Sequence, residues 1–397
     1  MSKKSKPQPE VKPGPRFKYA VPAVILAGAL LLFARWGFVI KVSENNGRWS
    51  VASHQAVEED FSHPSLKRLR EREKLEDLKK GRSQLETIVA LRGWARRQWE
   101  PGSKFRYPPW DALEILDLAR KGNRGFCAQY GVVFAQAAMS LGLHARYIDI
   151  VGHFVTEVWS DELGKWIAMD PYVDLHYERD GTPLNARELC EVHWNGEEDE
   201  VFKVGSDWKK ERAEKKDLGL YRKYALYLRS NQLENPVTVD RGGRQEKLVK
   251  SADITRYPLI GGGASEVAYV HTIVSFNDAF AKEKFAAWPV LDDPRVYERP
   301  VNQAVINVAG TDPDGTVRIA LVAEGAPDLE SFLFRFNDGP WTKAPARLMG
   351  RLEPGFNILS ARVRTRAGWL GPESSVTLLH KPRWFSLGNP IDRPEGK

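Results

Sequence analysis

The sequence predicts an α+β core followed by an all-β sandwich, with one membrane-spanning helix ahead of both. Three observations carry this. Helical periodicity runs from Ser65 to Leu141 and then gives way to alternating strand-like segments at 145–151, 153–159 and 165–169, the order of an α+β domain. From Val301 onward short runs rich in Val, Ile and Phe alternate with turns. Near the N-terminus, Tyr19 to Ala34 is free of charge.

In chain order, the first 18 residues carry Lys3, Lys4, Lys6, Lys12, Arg16 and Lys18 against Glu10, a local charge of +5. The whole chain has 59 basic and 52 acidic residues, net +7, so everything after the tail carries only +2. A basic nucleic-acid surface is not implied. The apolar run is interrupted by Arg35 and resumes from Trp36 to Ile40. As a helix, residues 19–40 would reach about 33 Å, enough for the hydrocarbon core of a bilayer. Arg35 can snorkel and Trp36 suits the headgroup zone. The basic tail stays cytoplasmic by the positive-inside rule, which puts the rest of the chain outside. A cleaved signal peptide fits less well, since the tail is long and Pro-rich and no A-x-A site follows the run.

Lys41 to His63 reads as a stalk or small hairpin, with a turn at Asn45-Asn46-Gly47. Ser65 to Lys80 reads as a solvated helix with a narrow stripe of Leu66, Leu69, Leu75 and Leu78. Ser83 to Trp99 is amphipathic through Leu85, Ile88, Val89, Leu91 and Trp94; Asp111 to Arg120 follows. Gly125 to Leu141 is the most apolar helix outside the N-terminal run. Leu184 to Val192 reads as a helix with Cys190 in the core, and Trp208 to Ser230 as a charged helix. Strand-like runs near 303–308, 316–322, 331–336, 357–364 and 375–380 build the sandwich. The expected division is a tail (1–18), an anchor (19–40), a stalk and charged helix (41–80), the α+β domain (81–240), a connecting region (241–298), the sandwich (299–384) and a tail (385–397).

No cofactor or metal is expected. The two cysteines, Cys127 and Cys190, form no CxxC and no Cys/His cluster at ligand spacing. Gly261-Gly262-Gly263 lacks the Lys-Ser/Thr of a phosphate loop, and no acidic segment has EF-hand spacing.

The chemistry concentrates around Gly125-Phe126-Cys127-Ala128-Gln129-Tyr130. A thiol at a helix start feels the positive end of the dipole and the free N–H groups, which favour the nucleophilic thiolate. The strands of Gly152 to Trp159 and Lys165 to Met169 flank a turn at Ser160 to Gly164. A hairpin there pairs residues whose numbers sum to about 324, and His153 with Asp170 gives 323, so the two become cross-strand neighbours. A carboxylate beside an imidazole fixes its tautomer and steadies the imidazolium. With Cys127 packed alongside, the three make a nucleophile, base and orienter. Asp174 is the second choice for the carboxylate. His144, His176 and His193 lack a positional argument.

These pieces, with Leu141 to Tyr147 and Trp166 to Pro171, resemble the transglutaminase-like superfamily over about residues 85–190. The Cys-to-His separation of 26 and the His-to-Asp separation of 17 suit its peptide N-glycanase and bacterial branches. The resemblance implies a papain-like core, with Cys127 as nucleophile, His153 as base and acid, and Asp170 as orienter. It also implies an oxyanion donor upstream of the cysteine, for which Trp94, Gln98 and Trp99 are candidates. Where many members carry a small residue and an aromatic after the histidine, this chain has Phe154 and Val155. The sandwich resembles immunoglobulin-like or fibronectin type III-like modules, notably around Phe334 to Trp341 and Leu352 to Asn357.

The functional expectation is a membrane-anchored, extracytoplasmic thiol enzyme acting on peptide or side-chain amide bonds of a protein substrate through a thioester. Hydrolysis is favoured over crosslinking, which needs a site that excludes water and admits a second substrate. The alternative is an inert scaffold whose sandwich binds an envelope or surface partner.

Overall fold

The computed structural model describes residues 37–46, 60–102, 111–229 and 294–382, with the strands Val237–Asp240, Gln245–Leu248, Glu266–Val267, Val270–Phe276 and Val290–Leu291. The anchor expected over 19–40 lies outside these residues up to Trp36. Among the described residues no helix is long and apolar enough to cross a membrane.

The first element corrects two expectations. Phe38–Asn45 is a strand, β1, antiparallel to Ser374–Lys381 near the C-terminus. Residues 38–40 therefore do not continue a helix, and 41–45 are not a stalk. The alternation of Phe38, Ile40 and Val42 with Val39 and Lys41 is a strand pattern, and an open sandwich edge completes it.

Four helices follow. Pro64–Arg72 (α1) buries Leu66 and Leu69. It stops short of Lys80, because Lys74 takes a left-handed φ of 54° and Leu75–Leu78 forms a separate 3-10 turn. Leu66, Leu69 and Leu75 belong to the main core, so this segment is part of the α+β domain rather than a solvated helix ahead of it. Gln84–Arg96 (α2) is opened by a capping box, with Ser83 accepting from the Glu86 N–H and Glu86 from the Ser83 N–H. Such a cap contributes about 0.5–2 kcal/mol. Ala112–Arg120 (α3) is capped by Asp111. Cys127–Ser140 (α4) is buried at every position after Cys127. It is the central helix, since Tyr130, Val133, Phe134 and Ala137 have no exposure and every neighbour packs onto it.

Ala145–Ile150 (β2), His153–Ser160 (β3) and Lys165–Met169 (β4) form the expected meander. Leu175–Arg179 (β5), Thr182–Pro183 (β6), Val201–Gly205 (β7) and Lys210–Arg212 (β8) make a second small sheet in the order β6-β5-β7-β8. Between them Ala186–Asn195 (α5) carries Cys190 into the core, with Asn185 as its cap.

The helix expected over Trp208 to Ser230 is not formed. That stretch holds β8, short helical turns over Lys215–Tyr221, and the strand Tyr224–Arg229 (β9). Tyr-Ala-Leu-Tyr-Leu suits a strand, and open edges on β2 and on Val270–Phe276 supply its ladders. With Val237–Asp240 (β10), Gln245–Leu248 (β11) and Glu266–Val267 (β12) in a separate sheet, Val270–Phe276 (β13) and Val290–Leu291 (β14) extend the main one to β14-β13-β9-β2-β3-β4. Residues 270–276 and 290–291 therefore belong to the α+β domain and not to a connector.

The C-terminal region folds into two facing sheets. Gln303–Thr311 (β15), Thr316–Glu324 (β16) and Arg347–Arg351 (β19) form one. Leu329–Phe336 (β17), Thr342–Ala344 (β18), Gly355–Thr365 (β20) and Ser374–Lys381 (β21) join β1 in the other, ordered β1-β21-β20-β17-β18. Between them lies an apolar core of Ile306, Val317, Phe334, Leu359, Val363 and Val376. The arrangement fits an immunoglobulin-like sandwich with β1 added at its edge.

The sandwich is docked on the α+β domain. Trp369 Nε1 donates to the Leu141 carbonyl at 2.8 Å, and Lys79 Nζ donates to the Ala367 carbonyl at 2.8 Å. Asn302, 1% exposed, donates from Nδ2 to both Asp161 oxygens and meets His144 through Oδ1.

Candidate active site

Cys127 is the first residue of α4, half-buried and not in a disulfide. The preceding Phe126 is extended and offers no capping side chain; instead Gln129 Oε1 accepts the Phe126 N–H at 3.0 Å. The first N–H groups of a helix lack intrahelical acceptors, so Cys127 sits where the dipole and those donors converge.

His153 opens β3 directly after the turn at Val151-Gly152, where Gly152 has φ 67°. Asp170 follows the last residue of β4. The β3–β4 ladder pairs Thr156 with Met169 and Val158 with Ile167, a register sum of 325 rather than 324. Extended to the strand ends, that register makes Asp170 the diagonal neighbour of His153, displaced by two residues on the same side. The side chains close the gap: His153 Nε2 lies 2.6 Å from Asp170 Oδ2.

The Asp170 carboxylate is held from its other side as well. Its Oδ1 accepts the Tyr172 N–H at 3.0 Å and the Val173 N–H at 3.4 Å, an Asx turn over Pro171. With Nε2 engaged by Asp170, Nδ1 is the imidazole nitrogen left for Cys127, whose side chain hydrogen-bonds the ring. Burial alone would pull His153 down. The Asp170 charge and hydrogen bond, and then Cys127, outweigh it and raise the imidazole from 6.5 to about 10.

An aromatic wall borders these groups. Tyr172 lies edge-on to His153 with centroids 5.7 Å apart, and Tyr130 edge-on to Tyr172 at 5.7 Å. Trp99 stacks on Tyr130 at 4.2 Å, and Tyr130 Oη donates to the Trp99 carbonyl. Burial pushes Tyr130 up to about 12, so it remains a donor.

The three upstream candidates have different surroundings. Gln98 Nε2 donates to the Trp94 carbonyl at 2.9 Å, which commits the amide to its own helix end. Trp94 packs half-buried against the core, and Trp99 stands in the aromatic wall. Phe154, next after His153, is 2% exposed and packs where Gly131 of α4 leaves room; Val155 is also fully buried. Both are core residues rather than substrate contacts.

Asp174, the second choice for the carboxylate, belongs to another network. Arg92 of α2 is fully buried and donates from Nε to Asp174 Oδ1 at 3.0 Å. A second guanidinium nitrogen meets His176 Nδ1 at 2.7 Å, and a third donates to the Val204 carbonyl. Since Arg92 donates to Nδ1, the His176 proton sits on Nε2 and goes to Glu178 Oε1 at 2.9 Å; Lys210 closes the chain on Glu178. Burial depresses His176, which keeps it neutral, and also depresses Arg92, against the opposing charges of Asp174, Asp170 and Glu178. Sequence reasoning missed Arg92. The signal was present, because Arg92 lies four residues after Ile88 on the apolar face of the helix, and a cation there needs a partner. Tyr172 carried no comparable signal.

Cys190 is 1% exposed, and burial pushes its thiol up to about 12. His144 serves the domain junction, and His193 packs against Trp194. Among the described residues no group of three or more His, Cys, Asp or Glu side chains could hold a metal ion.

Residues 73–171 match the family model of the transglutaminase-like superfamily. The match covers about a quarter of the chain, from the end of α1 to Pro171, and contains Cys127, His153 and Asp170. It supports a transglutaminase-like domain, of a superfamily that includes cysteine hydrolases and acyltransferases. No curated protein matches the chain.

Proposed function

We propose that the chain is a membrane-anchored, extracytoplasmic thiol hydrolase acting on amide bonds of proteins or peptides, with Cys127 as nucleophile, His153 as acid and base, and Asp170 as orienter. One observation carries the reading: the His153 ring lies between the buried Asp170 carboxylate, 2.6 Å from Nε2, and the Cys127 side chain at a helix start. The Asp170 charge and hydrogen bond favour the protonated imidazole, the acid that a leaving amine needs.

The Cys127 Sγ lone pair forms a bond to the amide carbon, and the carbonyl π pair moves onto oxygen. The Cys127 N–H at the start of α4 meets that oxyanion; of the upstream candidates, Trp99 is the one in the wall beside His153. As the intermediate collapses, the C–N bond breaks and His153 gives its proton to the leaving amine. Water then adds to the thioester while His153 takes one of its protons. Collapse releases a carboxylic acid and restores Sγ. Asp170 holds the ring with Nδ1 toward the sulfur. An amine in place of water would give crosslinking; the half-exposed setting of Cys127 favours water. The anchor over 19–36 and the outward orientation rest on the apolar run and its basic flank.

The test is site-resolved alkylation of Cys127 against pH on the full chain, with Cys190 as internal comparison and His153→Ala as control. Cys127 should react through a group well below the free-thiol value of about 8.5, and the variant should raise it. Ammonia or peptide release without amine incorporation then identifies hydrolysis. If Cys127 is accessible yet titrates as a free thiol in both proteins, the enzyme reading falls and the scaffold reading replaces it.

A further inference from the structure

The outer face of the five-stranded sandwich sheet carries an apolar row that its core does not use. Ile40 of β1 pairs with Leu379 of β21, which pairs with Phe356 of β20, so the three form one cross-strand line. Phe356 is 67% exposed and Ile40 51%. Ile358 on β20 adds to the exposed apolar surface, and Val42, at the β1 bulge, is exposed beside it. Core-facing neighbours on β20 and β21, Leu359, Val376 and Leu378, are buried, so the apolar row lies on the outer face, bordered there by Ser43, Thr377 and Ser375. An exposed apolar patch of this kind marks a contact.

Chain length and direction say what it contacts. The row begins at the strand that leads straight out of the apolar run ending at Ala34. Phe38 is four residues past Ala34, a reach of at most about 14 Å when fully extended. Because β21 runs antiparallel to β1, its last residue, Lys381, pairs with Phe38 at the same end, and Lys381 Nζ lies 5.7 Å from the Phe38 ring centroid. The chain then continues through Arg383, Trp384 and Phe385. Basic and aromatic residues flanking a short tether are the composition of a membrane interface.

We infer that this end of the sandwich, centred on Phe356, Ile40 and Leu379, lies against the phospholipid surface and holds the α+β domain at a fixed attitude to the bilayer. The inference rests on the anchor proposed above. It goes further, because an anchor alone would leave the sandwich swinging on its tether.

The experiment reconstitutes the full chain into phosphatidylcholine vesicles containing a phospholipid with a diazirine at the top of its acyl chain. After irradiation, adducts are mapped by mass spectrometry. Adducts are expected within 19–36 and also on the peptides holding Ile40–Val42 and Phe356–Ile358, with Met349, 70% exposed on the other sheet, as the unlabelled reference. The double change Phe356→Ser with Ile358→Ser should abolish labelling of the patch and leave labelling of 19–36 and alkylation of Cys127 unchanged. Adducts in 19–36 with none on the patch overturn the inference while the anchor stands; a second copy or the C-terminal tail then covers the row. No adducts in 19–36 overturn the anchor itself.

Discussion

Arg92 and Asp174, 82 residues apart, join α2 to the loop after Asp170 through a 3.0 Å, partly buried ion pair. Asp174 has a left-handed φ of 56°, and Ser206 also donates to it. Asp170 to Asp174 is thus clamped at both ends, by the Asx turn at its start and the buried guanidinium at its close. The clamp fixes where the Asp170 carboxylate points.

Arg92→Lys tests that clamp. A lysine keeps the charge but cannot serve Asp174, His176 and the Val204 carbonyl together. Losing one partner of a fully buried pair costs about 3–5 kcal/mol; with Asp174 only partly buried the cost here should be less, and lysine should cost less than Arg92→Met. The alkylation profile of Cys127 in Arg92→Lys should also move toward that of a free thiol. Loss of stability with an unchanged profile would make the network structural only.

Asp170→Asn removes the charge that sustains His153. A group whose folded value is raised contributes stability that is fully present below its unfolded value, here 6.5, and lost as pH rises through about 10. The native chain should therefore lose thermal stability across that window, and Asp170→Asn should flatten the loss. The basic limb of turnover, where the imidazolium gives up its proton, should lie near 10 in the native chain and move to lower pH in the variant. Equal melting profiles for the two proteins over that range would count against the pair.

Gly131 lets α4 approach β3. A Cβ there would stand 2.9 Å from the Phe154 ring. Gly131→Ala should destabilise by about 1–3 kcal/mol by overpacking, and adding Phe154→Leu should recover part of it. Denaturant midpoints of the single and double variants give the coupling; strict additivity would mean that the contact is not made.

Asn302 joins the two domains. It has φ 53°, which asparagine tolerates better than most residues, and it bonds both Asp161 and His144. Burial raises Asp161 from 3.8 to about 6 despite donors from Gln84, Asn302 and Trp159. Asn302→Ala should cost about 2–4 kcal/mol through unsatisfied buried groups and backbone strain. Hydrogen exchange should rise first at the junction of β15 with the β3–β4 turn, and uniform protection would argue against a role in docking.

Much of this protein follows from the chain alone. The apolar stripe of α2, the apolar run after Cys127, the β2–β3–β4 meander and the sandwich turns are local periodicities, and local periodicity is what a sequence states directly. The helix-start position of Cys127 and the meeting of His153 with Asp170 were legible because a helix start and a hairpin register fix positions over short distances. Only the tertiary structure decided where long-range partners lie. Phe38–Asn45 became a strand because the edge of β21 was open, some 335 residues away. Tyr224–Arg229 became a strand because β2 and β13 offered ladders on both sides. Arg92 gained its role because burial brought a carboxylate from another element to it. Backbone ladders and buried charges are completed by whatever the fold brings near, and no spacing along the chain specifies that.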